Sequence, residues 1–394
     1  MFTMTQLSDE SLRFGEELAS VTLGIDALDR RLNHYDDMVD GLVVVNMGWN
    51  KVQNFESYEE ARAFLAEMGK RAFSLPEPDR RLYFMQACIS LDSFCALQMG
   101  KLNNLTDQVQ LLIHSDGAPV STSYLEMRCA QAKELLEGMG YRGSLKEMAD
   151  EWEAENFVPA DKVKETMMGL IKEARRVTGE FMPLPEKDYT CEVTSGVKGW
   201  SALSDFDNLR VIVNIDPRYT LQALKHLVGH ETYPGHYMQF FLRKEYFEKG
   251  FGSADGLLSV CNHSSSTTFE GIADMGTRLM GWIKDDNDRV YEVLGDIKTA
   301  LSTVAPFQAH VLGWKRDQIR AYLERWPLLG GENALESKLR FVDDPSGAAL
   351  IWSYWRGDLA VSAVMDRLQP GDRDRYLDYI YGRLHTPASL QMFR

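Results

Sequence analysis

The stretch HLVGHETYPGHYMQF, residues 226–240, constrains this chain more than any other. His230 is followed directly by Glu231, and Pro234-Gly235 stands between them and a second histidine, His236. Two imidazoles and a carboxylate this close together are the makings of a hydrolytic metal site. The common zinc-protease arrangement has its histidines four apart on one helix face, with the glutamate beside the first. Here they are six apart. On an unbroken helix that spacing turns the rings roughly 120° apart and separates them by about 9 Å, too far for one ion. Proline lacks an N–H and collides with the carbonyl four residues back, which belongs to His230. Glycine accepts whatever dihedral angles the repair needs. The expectation is a helix that carries His230 and Glu231, bulges at Pro234-Gly235, and resumes with His236 turned back toward the same ion. The alternative is a packing histidine followed by a surface one after a helix break.

Charge and cysteine usage bound the partners. A net charge of −15 over 394 residues argues against nucleic acid and anionic membrane surfaces. Hydrophobic content of 44% and a mean hydropathy of −0.30 suit a globular chain with a large core. The first residues, MFTMTQLSDESLRF, lack the basic and apolar regions of a secretory signal, and no apolar run has the length of a membrane span. The five cysteines are odd in number and form no CxxC, which fits reduced thiols. Together these features predict a cytoplasmic protein. The oligomeric state is left open.

Periodicity predicts a mainly α chain with one small sheet. Apolar spacing and capping signals mark helices over 14–39, 57–73, 78–100, 121–140, 144–156 and 160–181, forming an N-terminal helical lobe over 1–180. Ser144 and Glu147 read as a capping box. The prolines of FMPLPEKDY end this run. Three β-favouring segments follow, 190–196, 198–205 and 209–216, read as an antiparallel sheet whose free edge could add an extended peptide or serve as a flap. A catalytic lobe over 181–394 then holds the metal helices (217–283) and C-terminal helices at 286–311, 313–326, 332–341, 345–368 and 372–384.

The remaining site residues lie beyond the central stretch. Glu270, on the first turn of a helix beginning near Thr267, is the candidate third ligand, and Gly271 beside it would let that helix approach the metal helix. Asp274, four later, could orient a ligand histidine. His226, four before His230, is read as a core or supporting residue. Tyr354 and Tyr233 could donate to an oxyanion. Arg356, which could clamp a carboxylate, and Trp200 are the candidate substrate-binding residues.

Several of these stretches resemble a known family. HETYPGHYMQ (230–239) is similar to the HExxPGHHLQ of the domain of unknown function 885 family, a group of predicted zinc metallopeptidases. FEGIADMGTRL (269–279) is similar to its EGWALYAERL, SYWRG (353–357) to its SYxxG, and YGRLHTPASL (381–390) to its C-terminal stretch. Tyr237, Ile272, Asp274, Met275 and Thr277 depart from the family pattern. The resemblance implies His230, His236 and Glu270 as ligands of one Zn²⁺, with Glu231 as general base. Mn²⁺ or Co²⁺ suits the same donors. It also implies a helical fold distantly like the two-lobed zinc peptidases that hold short peptides in a channel. The expected activity is therefore hydrolysis of amide bonds in short peptides. The alternatives are metal chemistry on a small non-peptide substrate, or a non-catalytic helical binding protein with a relic site.

Overall fold

A computed structural model of the protein describes residues 5–34, 41–197, 201–345 and 347–394. The chain is mainly helical with small sheets, and it packs as two compact units that interleave along the sequence. One comprises residues 1–117, 238–272 and 352–394, the other 118–237 and 273–351. The lobes expected from sequence, 1–180 and 181–394, were consecutive, whereas these units exchange chain four times.

The chain begins with α1 (Asp9–Asn33), β1 (Val44–Asn46), α2 (Tyr58–Ala72), α3 (Pro78–Gln98) and α4 (Leu105–Leu112). Capping sets several of these ends. Ser8 accepts from the Ser11 N–H at 3.2 Å, and Ser57 accepts from that of Glu60 at 3.2 Å. The helix expected over 14–39 ends at Asn33, where His34 turns left-handed with φ of 50°. Residues 35–39 lie outside the described residues. Phe14, Leu18, Tyr83 and Phe84 form the core here. Phe14 and Phe84 sit 4.7 Å apart between ring centres.

The second unit opens with α5 (Thr122–Met139), α6 (Leu145–Glu155), β2 (Phe157–Val158) and α7 (Val163–Thr178). The Ser144–Glu147 capping box is present. Trp152 is fully buried and its indole N–H reaches Asn287 at 2.8 Å. Truncating such a side chain costs about 3–5 kcal/mol. The sheet follows as β3 (Thr190–Thr194), β4 (Ala202–Asp205) and β5 (Arg210–Asn214), in the order β3-β5-β4. It is mixed, not antiparallel as expected. β4 and β5 form a hairpin, while β3 lies parallel on the other side of β5. The most β-branched segment takes the centre, with Val211 and Val213 fully buried. Arg210 fixes that position by reaching Asp205 on one neighbour and Glu192 on the other, at 2.8 and 2.9 Å.

A short strand, β6 (Tyr219–Thr220), pairs with β2 and leads into α8 (Leu221–Glu231). Then come α9 (His236–Glu248), β7 (Leu258–Val260), which pairs with β1, and α10 (Ser266–Asp274). Along the sequence, the division between the units falls within α9 and within α10. The chain continues through α11 (Gly276–Leu279), α12 (Asp286–Leu301), α13 (Val304–His310), α14 (Arg316–Leu323), α15 (Gly331–Asp343), α16 (Ile351–Met365), α17 (Arg373–Gly382) and α18 (Pro387–Leu390). The single helix expected over 286–311 is two, because Pro306 cannot donate to the carbonyl four residues back.

Candidate metal centre

The two histidines meet through a complete helix break. Thr220 caps α8 by accepting from the Ala223 N–H at 3.1 Å, and the last turn of α8 carries His230 and Glu231. Thr232 leaves the helical region at φ −119° and ψ −102°, with its hydroxyl donating to the Val228 carbonyl at 2.7 Å. The Tyr233–Pro234 peptide is cis, and α9 starts at His236. The expected bulge in one helix is therefore two helices and a four-residue joint, Thr232 to Gly235. Gly235 sits so close to the end of α8 that a Cβ there would stand 1.8 Å from the His230 carbonyl oxygen. No side chain fits that space. The result is the convergence that the spacing required. The His230 and His236 rings are 4.5 Å apart between centres and nearly perpendicular, at 83°.

Glu270 completes the cluster. One ligand atom from each of His230, His236 and Glu270 lies within 4.8 Å of the others. Both histidines are buried and Glu270 is half-buried. Asp274, one turn further along α10, holds His230. Its Oδ1 is 2.7 Å from His230 Nδ1. A proton on Nδ1 donated to that carboxylate leaves Nε2 as the lone-pair atom for an ion. His226 approaches the same oxygen, with Nε2 at 3.5 Å. His226, His230 and Asp274 thus form a second close group. Two atoms on one tetrahedral ion at about 2.0–2.1 Å are roughly 3.3 Å apart. The shorter His230–Asp274 separation is that of a hydrogen bond, by which Asp274 orients the His230 ring.

Glycines bring the rods together, at a place other than the expected one. A Cβ on Gly276 would lie 2.3 Å from the Gly229 carbonyl oxygen, so α8 and the start of α11 touch backbone to backbone. Gly271, expected to admit the metal helix, instead faces α16: a Cβ there would lie 2.2 Å from the Gly357 carbonyl oxygen. That crossing stands beside Glu270 and one turn from Tyr354, which is half-buried on α16.

Glu231 has a partner that the local sequence did not announce. Ser204, on strand β4, donates its hydroxyl to Glu231 Oε2 at 2.5 Å. The nearest sequence signal is a strand-forming segment shortly before the metal helix, which gives no pairing. Beside it, Tyr189 stacks on Tyr237 at 4.4 Å and 30°. Burial raises the Tyr189 phenol well above its ordinary range, and the Glu231 carboxylate adds to the shift.

The other expected site residues fare differently. Tyr233 is fully buried with its ring edge-on to Tyr237 at 5.4 Å, and its charged neighbours are Arg175 and Asp188. The Arg356 guanidinium is held by Asp116 and lies 4.4 Å from the Trp355 ring. Trp200 lies outside the described residues.

Comparisons with known proteins correct two expectations. No family model and no curated protein matches the chain. Solved structures do resemble it. One is a "putative lipoprotein" from Colwellia psychrerythraea, with a TM-score of 0.55 and 14% identity over 96% of this chain and 73% of that one. Another is a "putative lipoprotein of unknown function" from Shewanella oneidensis, with a TM-score of 0.50 and 13% identity over 85% of this chain and 72% of that one. At such identity the likeness concerns the fold. Membership of the domain of unknown function 885 family is thus not upheld, because the local motif likeness does not extend to a family match. The expected cytoplasmic location falls as well. Both neighbours are described as lipoproteins, a class tied to membranes by covalent lipid, which the absence of a spanning helix does not argue against. No described helix is long and apolar enough to cross a membrane.

Proposed function

We propose that this chain is a metal-dependent hydrolase that cleaves amide bonds in short peptides. The observation that carries the reading is the convergence of His230, His236 and Glu270 beside a positioned Glu231. Two imidazoles and a carboxylate suit zinc with a position left open for water, and also manganese or cobalt. When bound, such an ion would polarise a water molecule and a substrate carbonyl.

The chain's own residues supply the rest. Asp274 keeps His230 in the tautomer and orientation that present Nε2. Ser204 holds the Glu231 carboxylate, which takes a proton from water and passes it to the leaving amine. Tyr354 is the proposed donor to the developing oxyanion. β4 is an edge strand of its sheet, with Leu203 exposed beside Ser204. An extended peptide main chain could pair along it and bring a carbonyl past Glu231.

Glu231→Gln tests the mechanism. Metal content should stay at the wild-type level while turnover of a peptide library falls about 10²–10⁴-fold. Unchanged turnover would remove Glu231 from the reaction. One observation favours a small non-peptide substrate as the second reading, since Asp116 already occupies the guanidinium expected to hold a peptide carboxylate. Zinc-loaded protein that cleaves neither dipeptides nor N-acyl amino acids would decide for it.

A further inference from the structure

One lysine of the second unit is open to solvent, desolvated and unbonded at the same time. Lys298, on α12, is exposed. Its carbonyl accepts from Lys338 and from the Ser302 hydroxyl, but its ammonium makes none of the hydrogen bonds or ion pairs found among the described residues. A Cβ on Gly330 would stand 3.9 Å from its Nζ. The Glu153 carboxylate, whose charge reaches it, instead accepts from the Gly330 N–H with both oxygens, at 2.9 and 3.2 Å. Burial draws the Lys298 ammonium down despite its exposure, with Glu153 opposing. A group that water reaches and protein desolvates lies in a depression, not on a convex surface.

The depression leads toward His230. Tyr291 lies two turns before Lys298 on the same face of α12, with Gly295 between them. A Cβ on Gly295 would meet only Tyr291, whose Cε1 is 3.9 Å away, so room is left over the helix there. Tyr291 and His226 are both half-buried, and their ring centres are 5.9 Å apart. The His226 ring is in turn 5.8 Å from that of His230. Lys298, Tyr291, His226 and His230 thus follow one another along α12 and α8. Asp274, His230, Lys298 and Glu231 are the groups whose charges act on His226, and Glu292, Asp274 and Glu153 are the acids that act on Tyr291. Among all of these Lys298 is the lone lysine or arginine, so an anionic group entering here is repelled everywhere except at its ammonium.

We infer that Lys298 binds the C-terminal carboxylate of the substrate, so that the enzyme takes short peptides by a free C terminus. The inference rests on the hydrolase reading and names which amides it concerns. Arg356, expected for this task from sequence, is held by Asp116, whereas the Lys298 ammonium is unengaged. A carboxylate brought against it favours the charged form that burial disfavours. The step of 5.8 Å from His230 to His226 is about two residues of extended chain, at roughly 3.3–3.6 Å each. Lys298 stands beyond His226, so its carboxylate belongs at least that far downstream of the cleaved bond.

Binding is measured in Glu231→Gln protein, to suppress turnover, against N-acetyl tetrapeptides made with free and with amidated C termini. The free acids should bind about 10–100-fold more tightly than their amides, the range for one charge-assisted hydrogen bond. Adding Lys298→Met keeps the aliphatic stem and the backbone carbonyl that Lys338 uses, so the chain should fold, and it should level the two series by weakening the acids alone. Lys298→Arg should keep part of the preference. Equal binding of acids and amides before the lysine is changed would overturn the inference. So would an undiminished preference after Lys298→Met, or no binding of either series at millimolar concentration. Turnover answers the other question separately. Zinc-loaded wild type that binds the acids through Lys298 yet cleaves none of them would end the hydrolase reading and leave the carboxylate site standing. Where cleavage is seen, Lys298→Met should raise KM for the acids about 10–100-fold and leave kcat unchanged.

Discussion

Arg243 in the first unit and Lys338 in the second are both cations shut away from water, and the chain treats them in opposite ways. Lys338, 5% exposed, donates to the Lys298 carbonyl and to the Ser302 hydroxyl, each at 2.6 Å. Burial, reinforced by the nearby Lys298 ammonium, brings its own ammonium down to about 7. A lysine can answer burial by giving up its proton, and two neutral acceptors then suffice. A guanidinium has no such exit. Arg243 has donors without acceptors and keeps its charge. The same desolvation therefore yields a group that titrates near neutrality in one place and a permanently charged one in the other. The cluster around His230 is the reverse case. There carboxylates and imidazoles converge, with His230 held by Asp274, and this is the cluster we propose to take a cation.

Three variants break or sharpen that contrast. Asp274→Asn should act most strongly, because an amide can present the wrong tautomer to His230. Metal affinity should fall about 10–100-fold, read by competition with a chelator, and an unchanged affinity would remove Asp274 from the site.

Lys338→Met comes next. Lys338 has its ordinary value of 10.5 when unfolded and about 7 when folded, so between those values the unfolded chain binds more protons. The cost is present in full below about pH 7 and disappears as the pH rises toward 10. Wild-type stability should gain a rising component over that window, seen in melting temperature against pH. The methionine variant should lose that component and be more stable at neutral pH. A profile identical to the wild type would show that Lys338 does not titrate there.

Ser204→Ala should have the smallest effect. Losing one hydrogen bond to Glu231, worth about 1 kcal/mol, should lower kcat roughly fivefold with KM unmoved. A change in KM alone would make Ser204 a substrate contact.

Much of the helical frame was legible from local signals. The capping box at Ser144 and Glu147 and the cap at Ser57 appear where the sequence places them. The need for a break between His230 and His236 was legible too, since spacing and proline chemistry act over a few residues. Its form was not. Whether proline and glycine bulge a helix or end it depends on what fills the space beside the His230 carbonyl, and there it is the backbone of Gly235 itself. The parallel pairing of β3 escaped for a related reason. Period-2 alternation marks a strand but does not say which neighbour it takes.

By itself, the sequence determined the donor types, the break between the histidines and the helical character of the chain. These follow from side-chain chemistry and from geometry repeated over one or two turns. Only the tertiary structure decided that Asp274 would grip His230, that Ser204 would reach Glu231 across 27 residues, and that Asp116 would engage Arg356. It also decided that Arg243 would be buried with two of its donors sealed from solvent. Such pairings depend on which surfaces meet when helices and strands pack, and no local pattern of residues encodes a meeting so distant along the chain.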